Sequence, residues 1–187
     1  MIAVVVLAAG ESKRFGEFKL SARVCGKPML SWVLESAIAS RVGPVYVVTG
    51  YNAHEVVRLA ADYDVETVYN PWFRHGLSTS IKSAIIAAPH FDGYIFALGD
   101  MPFVRPETLR ALSDNLARAP IVYPVYRGRR GNPVLVRRDV LAFLLGLEGD
   151  VGARALLGML RSLGIEVQDR GVVIDIDTRD DVPLCRT

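Results

Sequence analysis

The chain has 187 residues, 51% hydrophobic and 22% charged, the composition of one enzyme-like globular domain spanning 1–187 with a sizeable core. Its formal net charge of +2 is too small to mark a nucleic-acid binder. No apolar run approaches the roughly 20 residues that a membrane helix needs. The N-terminal apolar run has no basic leader and no cleavage site, so it reads as a strand and not as a signal peptide. The expected location is therefore the cytoplasm.

The elements alternate along the chain. Ile2–Leu7 is a continuous β-branched run, as a strand buried on both faces should be. Pro28–Ser40 has helical spacing with Pro at its start. Val45–Thr49 is the next strand. Asn52, with Glu55 three residues on, predicts a capping box and a helix to about Ala61. Val65–Tyr69 is strand, Leu77–Ala88 helix, Tyr94–Leu98 strand and Pro106–Arg118 helix. Strands alternating with such helices indicate βαβ units on a mostly parallel, twisted sheet with helices on both faces, an α/β fold. After residue 120 the pattern changes. Ile121–Tyr126 and Pro133–Val136 are split by Arg-Gly-Arg-Arg-Gly-Asn, a turn excursion. Helical stretches follow near Asp139–Leu145 and Ala153–Leu163, and Val167 and Val172–Ile176 supply short final strands.

Cys25 and Cys185 lie far apart and neither belongs to a Cys-x-x-Cys pair, so a zinc site or redox motif is not indicated. A disulfide between them would tie a loop to the tail, and a reducing cytoplasm disfavours it. His54, His75 and His90 are scattered without ligand spacing. Lys13, Lys19, Lys27 and Lys82 are the only lysines and Gln168 the only glutamine; few amides and many charges suggest a hot habitat.

In an open α/β sheet, ligands sit beyond the carboxyl ends of strands. Four unusual segments fall at such ends. The first, residues 7–20, carries two glycines, a serine and three cations directly after a buried strand, the arrangement that receives a polyphosphate. It is neither a Walker A loop, since five residues separate Gly10 from Gly16, nor a dinucleotide fingerprint, since position 12 is Ser. Arg14, with its bidentate fork, and Lys19, a point charge, are its phosphate contacts. The second is Gly99-Asp-Met-Pro102, where Asp100 surfaces from an apolar strand and suits a divalent cation, although the same residue type also caps turns. The third is Asp175-Ile-Asp-Thr178. Residues i and i+2 share a face, so a second metal oxygen could come from here, while Thr178 and Asp181 could equally form a cap. The fourth is Gly76-Leu-Ser-Thr-Ser80 ahead of a helix. Three hydroxyls exceed what capping requires and, with free N–H groups, point to recognition of a base or phosphate.

Leu-Ala-Ala-Gly-x-Ser-x-Arg-x-Gly-x-x-Lys resembles the signature of the nucleotidyltransferases that act on the molybdenum cofactor, and of their sugar-phosphate and isoprenoid cytidylyltransferase relatives. The resemblance runs in order through Gly26-Lys-Pro28, Asn70-Pro71, Gly76–Ser80, Gly99–Pro102, Gly131-Asn-Pro133, Gly149–Arg154 and Asp175–Thr178, so it covers essentially the whole chain. It implies a Rossmann-like fold of the nucleotide-diphospho-sugar transferase type. The implied nucleotide contacts are Leu7, Ala8, Ala9, Gly10, Ser12, Arg14, Lys19, Asn70, Gly76, Ser78, Ser80 and Gly99, with Arg14, Lys19 and Asp100 catalytic. A Mg2+ ion is implied on Asp100 and Asp177, less so on Asp175. Leu-Ala-Ala-Gly with Gly-Leu-Ser-x-Ser is similar to the cytidylyl branch; the guanylyl branch usually has Leu-Ala-Gly-Gly. The methyl of Ala9 would narrow the pocket against a purine, a discrimination of about 1–3 kcal/mol. Two positions depart from the branch: Asn132 stands where it usually has His, and Arg179-Asp180 where it usually has Pro-Glu.

The expected activity is transfer of CMP from CTP to the terminal phosphate of a molybdopterin-type acceptor, with release of pyrophosphate. Guanylyl transfer to the pterin, or nucleotidyl transfer to a sugar or polyol phosphate, is the alternative within the enzyme class. Outside it stands a module that binds the cofactor and hands it on without chemistry. The implied partners are small-molecule substrates and a molybdoenzyme that receives the product, with no nucleic acid and no membrane.

Overall fold

The computed structural model describes residues 1–11 and 15–182. Its sheet is built around β1 (Ile2–Ala8), which is buried along its whole length. Alternate side chains leave on opposite faces: Val4, Val6 and Ala8 enter one hydrophobic cluster, and Ala3, Val5 and Leu7 the other. That is why the strand reads as an unbroken apolar run. β2 (Arg23–Val24) and β3 (Lys27–Pro28) form a separate small hairpin. β4 (Val45–Thr49) and β5 (Glu66–Tyr69) extend the main sheet in parallel on one side of β1. β6 (Gly93–Leu98) lies parallel to it on the other side. Beyond β6 the order continues through β9 (Val134–Arg137), β7 (Ile121–Tyr126) and β10 (Ser162–Glu166), with β8 (Arg129–Arg130) paired to β7. β9 is antiparallel to both β6 and β7, so the eight-stranded sheet is mixed but mostly parallel.

Helices cover both faces. α1 (Met29–Ser40), α2 (Ala53–Ala60) and α4 (Pro106–Asp114) bury Leu30, Leu34, Val56, Leu109 and Leu112 against one. α3 (Leu77–Ala87) and α5 (Leu141–Leu145) bury Ile81, Ile85, Leu141 and Leu144 against the other. The fold is the Rossmann-like α/β architecture read from the sequence.

The differences from expectation concentrate after residue 150. The apolar stretch 153–163 is a 3₁₀ turn, Ala153–Gly158, followed by β10. Gly164 suits the close pairing: a Cβ there would lie 2.9 Å from a Val125 methyl and 3.1 Å from the Tyr123 ring on β7, so a larger residue would have to push those side chains aside. Residues 172–176 form no strand; a 3₁₀ turn, Arg170–Val173, stands there. Its cause is Asp169, 4% exposed, whose carboxylate accepts from the N–H groups of Gly171 (2.9 Å) and Arg105 (2.8 Å) and from the Thr108 hydroxyl (2.7 Å). The Asn52 capping box does not form. Asn52 sits at φ 53° with no side-chain cap, and Glu55 binds Arg58 instead. The Thr178–Asp181 capping box does form, over the turn Arg179–Asp181. Cys25 is disulfide-bonded, against expectation; it is exposed at the tip of the β2–β3 turn, at φ 48°. Cys185 lies outside the described residues. Among the described residues no helix is long and apolar enough to cross a membrane.

Candidate active site

The chain leaves β1 for β4 on one side and returns to β6 on the other, which creates a crevice at the carboxyl ends of β1 and β6. Two backbone bonds assemble it. The Gly99 N–H donates to the Leu7 carbonyl (3.0 Å), locking the two strand ends together. The Ile176 N–H donates to the Asp100 carbonyl (2.9 Å), and Ile176 is fully buried, so Asp177 is delivered beside Asp100. The resulting cleft of about 540 Å³ is lined by Leu7–Glu11, Lys19, Leu20, Phe73, Arg74, Gly76, Leu77, Ser80, Leu98, Asp100, Asp150 and Asp177. A Cβ on Gly10 would meet nothing within 4 Å, so this backbone is open to a ligand.

Within the cleft the Lys19 ammonium donates to Asp100 Oδ2 (2.7 Å) and Asp177 Oδ1 (3.1 Å). The three side chains are 14%, 22% and 32% exposed. Burial works against the charged ammonium, but the two carboxylates outweigh it and hold the Lys19 pKa above its ordinary value. Asp100 Oδ1 is buried with no hydrogen-bond partner among the described residues. An orphaned carboxylate oxygen is costly unless something else uses it. Two carboxylates fit magnesium, which takes one or two of them and completes its shell with water and substrate phosphates. No group of three or more His, Cys, Asp or Glu among the described residues could hold a metal. An ion here would therefore need oxygens from a ligand.

The 70–80 segment is held by its own polar groups. Asn70 is fully buried; its amide donates to Thr79 Oγ1 (2.9 Å) and Ser80 Oγ (3.0 Å) and accepts from the Trp72 N–H (2.9 Å). The Thr79 hydroxyl lies 2.8 Å from the Gly76 carbonyl. The N–H groups expected to be free at the start of α3 are engaged: Ser78 donates to the Gly149 carbonyl (3.2 Å) and Leu77 faces Asp150 Oδ1 (3.4 Å). The 149–150 loop rests directly on Gly76. That residue has φ 101°, and a Cβ on it would lie 2.2 Å from Gly149.

A second cavity, about 760 Å³, shares Leu7, Leu77 and Leu98 with the first. Arg129 and Arg130 of β8, together with Asn132, Gly152, Ala153, Arg154 and Asp175, line it. Three guanidinium groups at one cavity suit a phosphate or another anion. The two carboxylates of the 175–178 segment thus part company: Asp177 enters the first cavity and Asp175 the second.

Of the residues named from the sequence, Leu7, Ala8, Ala9, Gly10, Lys19, Gly76, Ser80, Asp100 and Asp177 meet in one cleft. Asn70 and Gly99 are buried behind it as hydrogen-bonded supports. Ser78 is also buried, 1% exposed, and its hydroxyl has no partner among the described residues. Ser12 and Arg14 lie outside the described residues. The sequence pattern singles out neither Phe73 nor Arg74, which line the cleft; Asp150, which also lines it, falls in the Gly149–Arg154 stretch that carries the resemblance. For Phe73 and Arg74 the adjacent Asn70-Pro71 was the available signal. Arg129 and Arg130, in a stretch that reads as a turn excursion, line the second cavity.

The chain is 28% identical to a molybdenum cofactor cytidylyltransferase of Escherichia coli (strain K12), over 95% of this chain and 91% of that protein. It is 31% identical to the purine catabolism protein PucB of Bacillus subtilis (strain 168), over 97% and 94%. Among solved structures it matches Rv0371C of Mycobacterium tuberculosis H37Rv in complex with manganese, with a TM-score of 0.77 and 28% identity over 96% and 95% of the chains. Residues 4–165 match the model of the MobA-like NTP transferase domain, and the chain is a member of that nucleotidyltransferase family.

Proposed function

We propose that the protein is a magnesium-dependent cytidylyltransferase that joins CMP from CTP to the terminal phosphate of a molybdopterin-type acceptor and releases pyrophosphate. The observation that carries this reading is Lys19 beside Asp100 and Asp177, in a cleft walled by the loop after β1. A pure binding module has no use for that pair of carboxylates. An acceptor phosphate oxygen forms a bond to the α-phosphorus while the bond to the β-bridging oxygen breaks, so pyrophosphate leaves in line. A phosphate monoester is already anionic at neutral pH, so no general base is required, and among the described residues no histidine lines the cleft. Catalysis is then positioning and charge neutralisation.

The open backbone of Gly10, with Arg14, holds the β- and γ-phosphates. Lys19 meets charge developing at the α-phosphoryl group, and Ala9, Gly76 and Ser80 border the base and ribose. Asp100 and Asp177 would hold the magnesium ion, which neutralises phosphate charge when bound. Arg129, Arg130 and Arg154 support an anionic acceptor in the adjoining cavity. The whole chain works as one catalytic domain in the cytoplasm and passes its product to a molybdoenzyme.

Pyrophosphate release with each of the four NTPs, against a panel of pterin, sugar and polyol phosphates, tests the assignment. CTP with the pterin phosphate should be the fastest pair. Preference for GTP, or turnover only with a sugar or polyol phosphate, would replace the reading with its nearest alternative.

A further inference from the structure

Lys19 donates to two carboxylates in the nucleotide cleft, Asp100 and Asp177, and it occupies the place where a divalent ion is wanted. We propose that Lys19 is a placeholder for the metal. In the nucleotide-free protein its ammonium keeps a divalent cation off Asp100 and Asp177, and it yields them only when a triphosphate arrives. This inference rests on the reading of the cleft as an NTP site.

Three observations support it. First, the ammonium contacts both carboxylates, at 2.7 and 3.1 Å, in a partly buried setting where displacing it has an electrostatic cost. Second, it satisfies the pair incompletely, since Asp100 Oδ1 remains buried with no hydrogen-bond partner among the described residues. An ion that collects several oxygen ligands can use this atom. Third, the described residues provide no cluster of three acidic or histidine ligands, so a lone cation finds a poor site as well as a competitor. A triphosphate changes both conditions. It brings phosphate oxygens for the metal and a new counter-charge for the lysine, whose flexible four-carbon stem already lines the same cleft as Ala9 and Gly10. Metal and nucleotide therefore bind cooperatively, and the lysine reaches the phosphates as the metal enters.

The test is Mn2+ binding to the full-length, nucleotide-free protein, followed by the loss of the free-ion electron paramagnetic resonance signal. Lys19→Met should bind Mn2+ more tightly than wild type by on the order of tenfold. Lys19→Arg, which keeps the charge, should stay at the wild-type level, and adding Asp100→Asn to Lys19→Met should remove the gain. Equal affinity of wild type and Lys19→Met overturns the proposal, as does a gain that survives Asp100→Asn. If circular dichroism shows Lys19→Met to be unfolded, wild type alone still decides. Its Mn2+ affinity should rise on the order of tenfold with the α,β-methylene analogue of CTP, and no rise overturns the proposal. Failure of the functional reading is distinct: pyrophosphate release would be absent while the Mn2+ difference between wild type and Lys19→Met stood.

Discussion

Ala9 is 6% exposed, and it lines the cleft together with Phe73. Its methyl faces Gly50 so closely that a Cβ on Gly50 would lie 2.8 Å from it and 2.6 Å from the Phe73 Cβ. The three residues form a wall with no slack, which gives the methyl a physical means of screening a base. Ala9→Gly should raise the relative kcat/KM for GTP over CTP by on the order of tenfold, the worth of one methyl in a fitted pocket. Steady-state assays with the two nucleotides check it, and an unchanged ratio would move base selection to the 76–80 segment. At this scale the sequence was legible where chemistry and position coincide. Lys19, Asp100 and Asp177 have residue types that demand partners, and they are one another's partners. Asn70 and Ser78 were less legible, because the same polar groups that recognise a ligand also brace a loop, and only their burial separates the two uses.

The 3₁₀ turn Arg170–Val173 and the start of α4 are joined by a single buried carboxylate. Asp169 accepts from two backbone N–H groups and one hydroxyl, all within 2.9 Å. Asp169→Ala leaves those donors buried without acceptors and should lower the unfolding free energy by about 2–4 kcal/mol. Urea denaturation measures this, and a loss well under 1 kcal/mol would show that water replaces the carboxylate. The same contact explains why 172–176 reads as a strand and is not one. The apolar residues Val172 and Ile176 are buried as expected, but a partner far away in sequence pulls the backbone into a turn. Elements β1, β4, β6, α1 and α3 were legible because their burial follows from local periodicity. β10 was not, since its close pairing, which Gly164 suits, is with Tyr123 and Val125, far away in sequence.

Across the whole molecule, one mixed sheet brings the ends of β1 and β6 and the 175–178 segment to a common edge. Two cavities open there side by side and share Leu7, Leu77 and Leu98. One is lined by Asp100 and Asp177 and the other by three arginines; on the proposed reading, donor and acceptor meet over the residues that the two share. The sequence showed the first cavity through its glycine-rich loop and acidic residues. The second was legible in part: Asn132, Asp175 and the Gly149–Arg154 stretch stand out in the sequence, whereas Arg129 and Arg130 join Arg154 only through the turn after β7 and the turn that begins at Ala153. The account's central claim is that phosphoryl chemistry takes place at Asp100. Pyrophosphate release from CTP and a pterin phosphate, with wild type and Asp100→Ala compared side by side, tests it most directly. The variant should keep its circular dichroism spectrum, since Asp100 serves the cleft and not the core, and lose at least about a hundredfold in rate. Release by the folded variant at the wild-type rate would contradict the account.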